Sequence, residues 1–146
     1  MFDIRHLVGV QGSPEQIYRA LTTIEGLSGW WTEQTAGSAE VDGTVEFRFP
    51  GGGFDMKVTE QVPNELVRWT VVDGPDEWVG TEIRWDLRRS EDFTSVLFTH
   101  AGWRAPVEFM HHCSTKWAVY LLSLKQLVET GAGAPSPHDV KIDSWD

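Results

Sequence analysis

The side chains that could carry chemistry are few, and alternation along the chain leaves fewer still facing inward. Along the alternating runs described below, the polar residues on the apolar side are Thr81, Thr94 and His100, with Tyr120 on the one long helix and His6 as an addition. Imidazole titrates near neutral pH, so His100 is the candidate general acid or base. No two carboxylates share that face, which argues against acid–base chemistry that needs a pair of them. His100, Cys113 and one of His111 or His112 are zinc-ligand types, but His112 and Cys113 are adjacent on a helix and point about 100° apart. They do not converge on one ion, and neither a metal nor a cofactor is expected. Cys113 sits on an apolar stripe and reads as a small packing residue rather than a nucleophile. His100 reads first as a hydrogen-bonded histidine at a strand end and second as a group that orients a ligand or moves a proton.

The elements that must position these residues are legible from spacing. Pro106 to Thr130 is the only segment long and periodic enough for a long helix. Met110, Cys113, Trp117, Tyr120, Leu121, Leu124 and Val128 fall on one stripe at the 3.6-residue period, opposite Glu108, His111, Thr115, Gln126 and Glu129. Pro106 suits the first helical position and Gly131 a left-handed stop. Phe2 to Val10 alternates as a strand with Ile4, His6, Val8 and Val10 on one side. Ser13-Pro14-Glu15-Gln16 is a capping-box entry to a short helix whose buried side is Ile17, Leu21 and Ile24. A second very short helix follows and ends at Gly29, delivering Trp30 and Trp31 side by side; one indole is expected to pack and the other to lie on the surface.

Gln34 to Gly43 suits a connection or a short edge strand. Beyond it the alternation is clear. Val45, Phe47 and Phe49 face inward, Pro50-Gly51-Gly52-Gly53 turns the chain, and Phe54, Met56 and Val58 return along the same face. Val67, Trp69 and Val71 continue the pattern, then Val79, Thr81, Ile83, Trp85 and Leu87, then Thr94, Val96, Phe98 and His100. Outward Glu, Arg and Asp residues read as cross-strand charge partners. The expected fold class is α+β: a curved antiparallel sheet wrapped around a long C-terminal helix, with two short helices after the first strand. Residues 1–131 form the domain. Residues 132–146 are a tail packing on it or trailing from it, with Val140, Ile142 and Trp145 as the apolar trio that could add back.

With 146 residues, one cysteine and a net charge of −10, the chain is one domain without an internal disulfide. The acidic balance opposes nucleic acid and anionic bilayers, both of which need a basic patch. No run of about 18 apolar residues, signal-like leader or lipidation motif is present, so no membrane insertion and a cytoplasmic location are expected. Eight tryptophans and seven phenylalanines suit either a bulky core or an apolar pocket.

The order of these elements resembles the helix-grip (SRPBCC) superfamily that contains the START domains and the birch-pollen allergen. Within it, IEGLSGWWT at Ile24 to Thr32, GTVEFRFPGGGFDMKV at Gly43 to Val58, EWVGTEIRWDL at Glu77 to Leu87, THAGW at Thr99 to Trp103 and CSTKWAVYLLSLKQLVETG at Cys113 to Gly131 are similar to the bacterial single-domain branch named after activators of the heat-shock chaperone ATPase. The resemblance implies a cavity between helix and sheet that holds sterols, lipids, polyketides or plant hormones in other members, some of which are cyclases or hydroxylase components. Chaperone activators themselves carry a further N-terminal domain for which these 146 residues leave no room. The resemblance therefore implies the fold and the cavity rather than the chaperone activity.

Three readings follow. The first is a binding protein for a small, mostly hydrophobic molecule, lipid-like or aromatic and polyketide-like. Its expected ligand-binding residues are Trp31, Phe47, Phe49, Met56, Trp69, Thr81, Trp85, Phe98, His100, Cys113, Trp117, Tyr120 and Leu121, with His100 or Tyr120 fixing the polar end. The second is a cyclase- or hydrolase-like enzyme using the same cavity with His100 as acid or base. The third is an interaction module, as a homodimer through Ala118, Val119 and Leu122 or, ranked last, as a partner of a chaperone.

Overall fold

A computed structural model describes all 146 residues. The first strand, β1 (Phe2–Val10), is followed by α1 (Pro14–Thr22) and α2 (Ile24–Trp30). Six strands come next: β2 (Gln34–Gly37), β3 (Thr44–Phe49), β4 (Gly52–Val62), β5 (Leu66–Asp73), β6 (Glu82–Ser90) and β7 (Phe93–Trp103). The long helix α3 (Glu108–Thr130) closes the fold, which is the α+β helix-grip arrangement expected.

All seven strands form one antiparallel sheet in the order β1-β7-β6-β5-β4-β3-β2. The meander makes neighbours of consecutive strands, and only β1 crosses over, to pair with the last strand. Register shifts in β4, between Asp55 and Met56 and between Val58 and Glu60, bend the sheet, because a bulged strand twists more than its partner. One face is solvated: Arg68 on β5 reaches Glu60 on β4 at 3.2 Å and Glu82 on β6 at 2.7 Å. The other face carries the core residues Val45, Phe47, Met56, Val58, Val67, Trp69, Ile83, Trp85, Val96 and Phe98.

That inner face is covered by α1, α2 and α3. The Ser13 hydroxyl accepts from the Gln16 backbone N–H and the Gln16 side chain accepts from Ser13 N–H, so α1 begins with the capping box. Helix α3 stops at Gly131, whose φ of 92° is the left-handed conformation that its missing Cβ permits. The start of α3 differs from the expectation. Val107 is the N-cap with an extended backbone (ψ 166°), so Pro106 stands before the helix rather than at its first position. No helix is long and apolar enough to cross a membrane.

Two other expectations are corrected. Helix α2 runs past Gly29 to Trp30, and both Trp30 and Trp31 are fully buried. Trp31, the C-cap, keeps a right-handed helical backbone (φ −102°, ψ −69°), and both indoles are buried because each meets its own partners: Trp30 packs on Trp85 and donates through Nε1–H to the Ala20 carbonyl, while Trp31 lies between Phe47 of the sheet and Trp117 of α3. The two indoles stack at 5.6 Å with 10° between their planes. Around Val79 the turn is longer than expected: Gly80 has φ +87°, β6 begins only at Glu82, and Val79 is exposed. Trp78 takes the buried place instead, with its N–H and that of Val79 both donating to the Pro75 carbonyl.

The tail folds back. Thr32 and Ser136 form a parallel bridge, in which Ser136 N–H donates to the Trp31 carbonyl at 2.8 Å and Glu33 N–H to the Ser136 carbonyl at 3.1 Å. The Ser123 hydroxyl on α3 donates to the Trp30 carbonyl and accepts from Ala134 N–H. Polar groups hold the segment, and Val140 and Trp145 of the apolar trio stay largely exposed.

Candidate functional site

The middle of the hollow between sheet and helix is filled. Trp117 of α3 reaches across to Phe98 at 4.4 Å and Trp31 at 4.9 Å, and Trp69 meets Trp85 at 5.6 Å. Indoles in tilted and edge-on contact occupy the space where a central cavity was expected. Phe47, Met56, Trp69, Trp85, Phe98 and Leu121 are core residues and none of them lines the cavity described next.

Space remains at one end. A cavity of about 430 Å³ lies between the tip of the β3–β4 hairpin, the turn at Pro75 to Trp78, the first half of α3 and the tail. The hairpin contributes Phe49 and Phe54, the turn Trp78, α3 Phe109, His112, Cys113, Lys116, Trp117 and Tyr120, and the tail Ser136, Asp139, Lys141, Trp145 and Asp146. Trp31 forms part of the wall. Five expected residues, Trp31, Phe49, Cys113, Trp117 and Tyr120, therefore meet here. A second hollow lies over Arg5, His6, Leu7, Asp86, Leu97, Phe98 and Thr99, and no tryptophan lines it.

The glycine turn is what opens the hairpin tip. Gly51 has φ +90°, and a Cβ on Gly53 would lie 2.2 Å from the Phe47 carbonyl oxygen. Only glycine lets the strand leave the turn close enough to place Phe54 against Trp78, at 4.3 Å with 20° between the rings.

His100 stands outside this wall. Trp117 Nε1–H donates to His100 Nδ1 at 3.1 Å, which leaves Nε2 as the protonated nitrogen, donating to Thr81 Oγ1 at 2.8 Å. The Thr81 hydroxyl in turn donates to the Trp78 carbonyl at 2.5 Å. Burial pushes the His100 pKa down to about 3, so it is neutral at physiological pH with both ring nitrogens engaged. What His100 and Thr81 do is fix two cavity walls, Trp117 and the Trp78 turn, relative to each other. Thr94 donates to the Gly12 carbonyl at 2.7 Å, and His6 Nε2 meets the Ser114 carbonyl at 3.1 Å. Neither lines the cavity.

The polar edge of the cavity comes from residues that alternation did not single out. Lys116 reaches Asp139, Asp146 at 2.5 Å and the Val140 carbonyl at 2.9 Å. The ammonium thus carries two ion pairs and one hydrogen bond. Its position was signalled by spacing: three residues after Cys113 and four before Tyr120, a lysine on the flank of the apolar stripe. Burial raises the Asp146 carboxyl, but Lys116 and the backbone N–H groups of Ile142 and Asp143 outweigh it and hold it at about 2. Asp139 is likewise raised by burial and brought below the ordinary range by Lys116 and Lys141. Two carboxylates thus meet the cavity after all, supplied by the tail, which has no periodic pattern to reveal them. The Tyr120 hydroxyl is pushed up by burial and by Asp139, and the Cys113 thiol is pushed up to about 12 by burial, which keeps it a protonated, inert side chain. Trp78 Nε1–H is buried with no oxygen or nitrogen acceptor and faces only the Cys113 sulfur, a weak acceptor. His, Cys, Asp and Glu side chains nowhere gather in threes as a metal site requires.

The model of the family described as Activator of Hsp90 ATPase homolog 1-like protein matches residues 11–129. The chain belongs to this family. Among solved structures, it is similar to the Aha1 dimer from Colwellia psychrerythraea, with 50% identity and a TM-score of 0.85 over 91% of this chain and 100% of that one. The protein SSP2350 from Staphylococcus saprophyticus shares the fold, with 21% identity and a TM-score of 0.76 over 90% and 95% of the two chains. CalU16 from Micromonospora echinospora does so at 15% identity and a TM-score of 0.78, over 97% of this chain and 74% of that one. No curated protein matches the chain.

Proposed function

We propose that this member of the Activator of Hsp90 ATPase homolog 1-like family binds a small, mostly apolar molecule at the open end of its helix-grip hollow. The observation that carries the reading is the cavity of about 430 Å³ walled by Trp31, Phe49, Phe54, Trp78 and Trp117, within the size range of small-molecule sites. Burial of about 250 Å² of apolar ligand surface at about 25 cal/mol/Å² is worth about 6 kcal/mol before the costs of association. Affinities no tighter than tens of micromolar follow. The neutral fluorophore N-phenyl-1-naphthylamine is expected to bind saturably at one site with enhanced emission. Cys113→Phe, which fills the cavity from α3, is expected to weaken that binding at least tenfold with an unchanged circular dichroism spectrum. Absence of saturable binding, or equal binding by the folded variant, contradicts the reading.

A second reading concerns assembly. The 50%-identical Colwellia protein is a dimer, and Leu122 on the outer side of α3 is 58% exposed beside the half-buried Ala118 and Val119. A homodimer through this stripe is expected to sediment as two chains and to become monomeric in Leu122→Glu. A monomeric wild-type chain at high micromolar concentration removes it. A chaperone partner stands behind both readings, supported by the family name alone.

A further inference from the structure

The cavity has one charged end, and its charges are not equally fixed. Lys116 projects from α3, a helix anchored through the buried Cys113, Trp117, Tyr120 and Leu121, and its side chain is only 14% exposed. Its three partners all come from the tail: Asp139, Asp146 and the Val140 carbonyl. Asp139 is pinned, with its side chain 2% exposed, a second ammonium from Lys141 at 3.1 Å, and the Thr32–Ser136 bridge close by in the chain. Asp146 belongs to a surface turn closed by its own backbone N–H to the Asp143 carbonyl, and residues 143–146 are exposed as whole residues although the Asp146 carboxylate is only 7% so. The cation is part of the core, whereas one of its two anions sits on an exposed terminal turn, tied to α3, apart from Lys116 itself, only through the His112–Asp143 contact at 2.6 Å and the edge of Trp145 against Phe109 and His112.

Resting on the proposed host function, we infer that the cavity selects an organic anion: a compact apolar molecule bearing one carboxylate, which takes the place of Asp146 on Lys116. With Asp146 in place the cavity edge holds two ammonium groups, Lys116 and Lys141, against two carboxylates, Asp139 and Asp146. Exchanging Asp146 for a ligand carboxylate preserves that balance and restores the second ion pair of Lys116 once the ligand is seated, against the loss of the Ile142 and Asp143 N–H bonds that Asp146 accepts. A neutral polar end recovers less, because a charge-assisted hydrogen bond is about twice as strong as a neutral one. An amine fares worst: Lys116 is fixed on its helix, and taking the place of Lys141 means reaching the Asp139 carboxylate, whose side chain is only 2% exposed. The apolar body then lies on Trp31, Trp78 and Trp117.

Isothermal titration calorimetry with 2-naphthylacetic acid, 2-naphthylacetamide and 2-(2-naphthyl)ethylamine tests this on the full chain. The acid is expected to bind at least tenfold tighter than the amide, and the amine weakest. Lys116→Met is expected to erase the difference between acid and amide, while Lys116→Arg retains it. Asp146→Asn, an isosteric change that removes one of the two anions on Lys116, is expected to tighten the acid several-fold and to change the amide less than the acid. Equal binding of acid and amide by the wild-type chain, or tightest binding of the amine, overturns the anion preference while leaving the host function standing. If none of the three binds, the host function fails and the preference with it.

Discussion

Trp31 stacks on or tilts against Trp30, Phe47, Phe49, Phe54, Trp69, Trp117 and Tyr120, joining α2, the sheet and α3 in one aromatic contact set. Spacing along α2 alone does not reveal this burial, because the sheet and α3 cover Trp31 from two sides and neither is part of the local pattern. His100 was easier to place at a strand end, but its consequence is thermodynamic. The unfolded chain takes up a proton at His100 near pH 6.5, while the folded chain refuses it until about pH 3. Protons therefore favour the unfolded state, and stability falls as pH drops through that window. At pH 5 the wild-type chain is expected to be about 2 kcal/mol less stable in urea than at pH 7 on this account. His100→Gln is expected to lose that dependence between pH 7 and 5. The window lies above the region where the depressed carboxyls of Asp139, Asp143 and Asp146 begin to protonate. An identical pH dependence in the variant contradicts a neutral, walled-in His100.

At the scale of elements, the cavity depends on how the β3–β4 hairpin turns. Gly53 and Gly52 make a controlled pair. A methyl group at Gly53 meets the Phe47 carbonyl at 2.2 Å, whereas one at Gly52 meets nothing within 4 Å. Gly53→Ala is expected to cost about 1–3 kcal/mol and to loosen ligand binding by moving Phe54. Gly52→Ala is expected to stay within about 0.5 kcal/mol of wild type in the same denaturation series. Equal effects would mean that the hairpin tip is free to relax and does not set the wall. Strands β3 to β7 and helix α3 were legible because a half-buried sheet writes a period of 2 and a half-buried helix a period of 3.6 into the chain. The turn before β6 was not, because Val79 and Thr81 keep step with Ile83 although the backbone there reverses at Gly80. The tail was least legible. Its attachment rests on backbone hydrogen bonds and ion pairs, which leave no hydrophobic rhythm.

The whole molecule is a bent sheet closed on one long helix, solid through its middle and open at one end. That division was out of reach of pattern reading: alternation names Phe47, Trp69, Trp85 and Phe98 as inward-facing with the same force as Phe49 and Phe54, and only packing decides which of them fill and which line. Eight indoles make the division measurable. In a ¹H–¹⁵N spectrum, titration with N-phenyl-1-naphthylamine is expected to shift the indole N–H signals of Trp31, Trp78, Trp117 and Trp145 saturably. Those of Trp85 and Trp103, packed behind the cavity, are expected to stay in place. Signals that do not move, or shifts spread evenly over all eight, would contradict a binding cavity at the open end of the hollow.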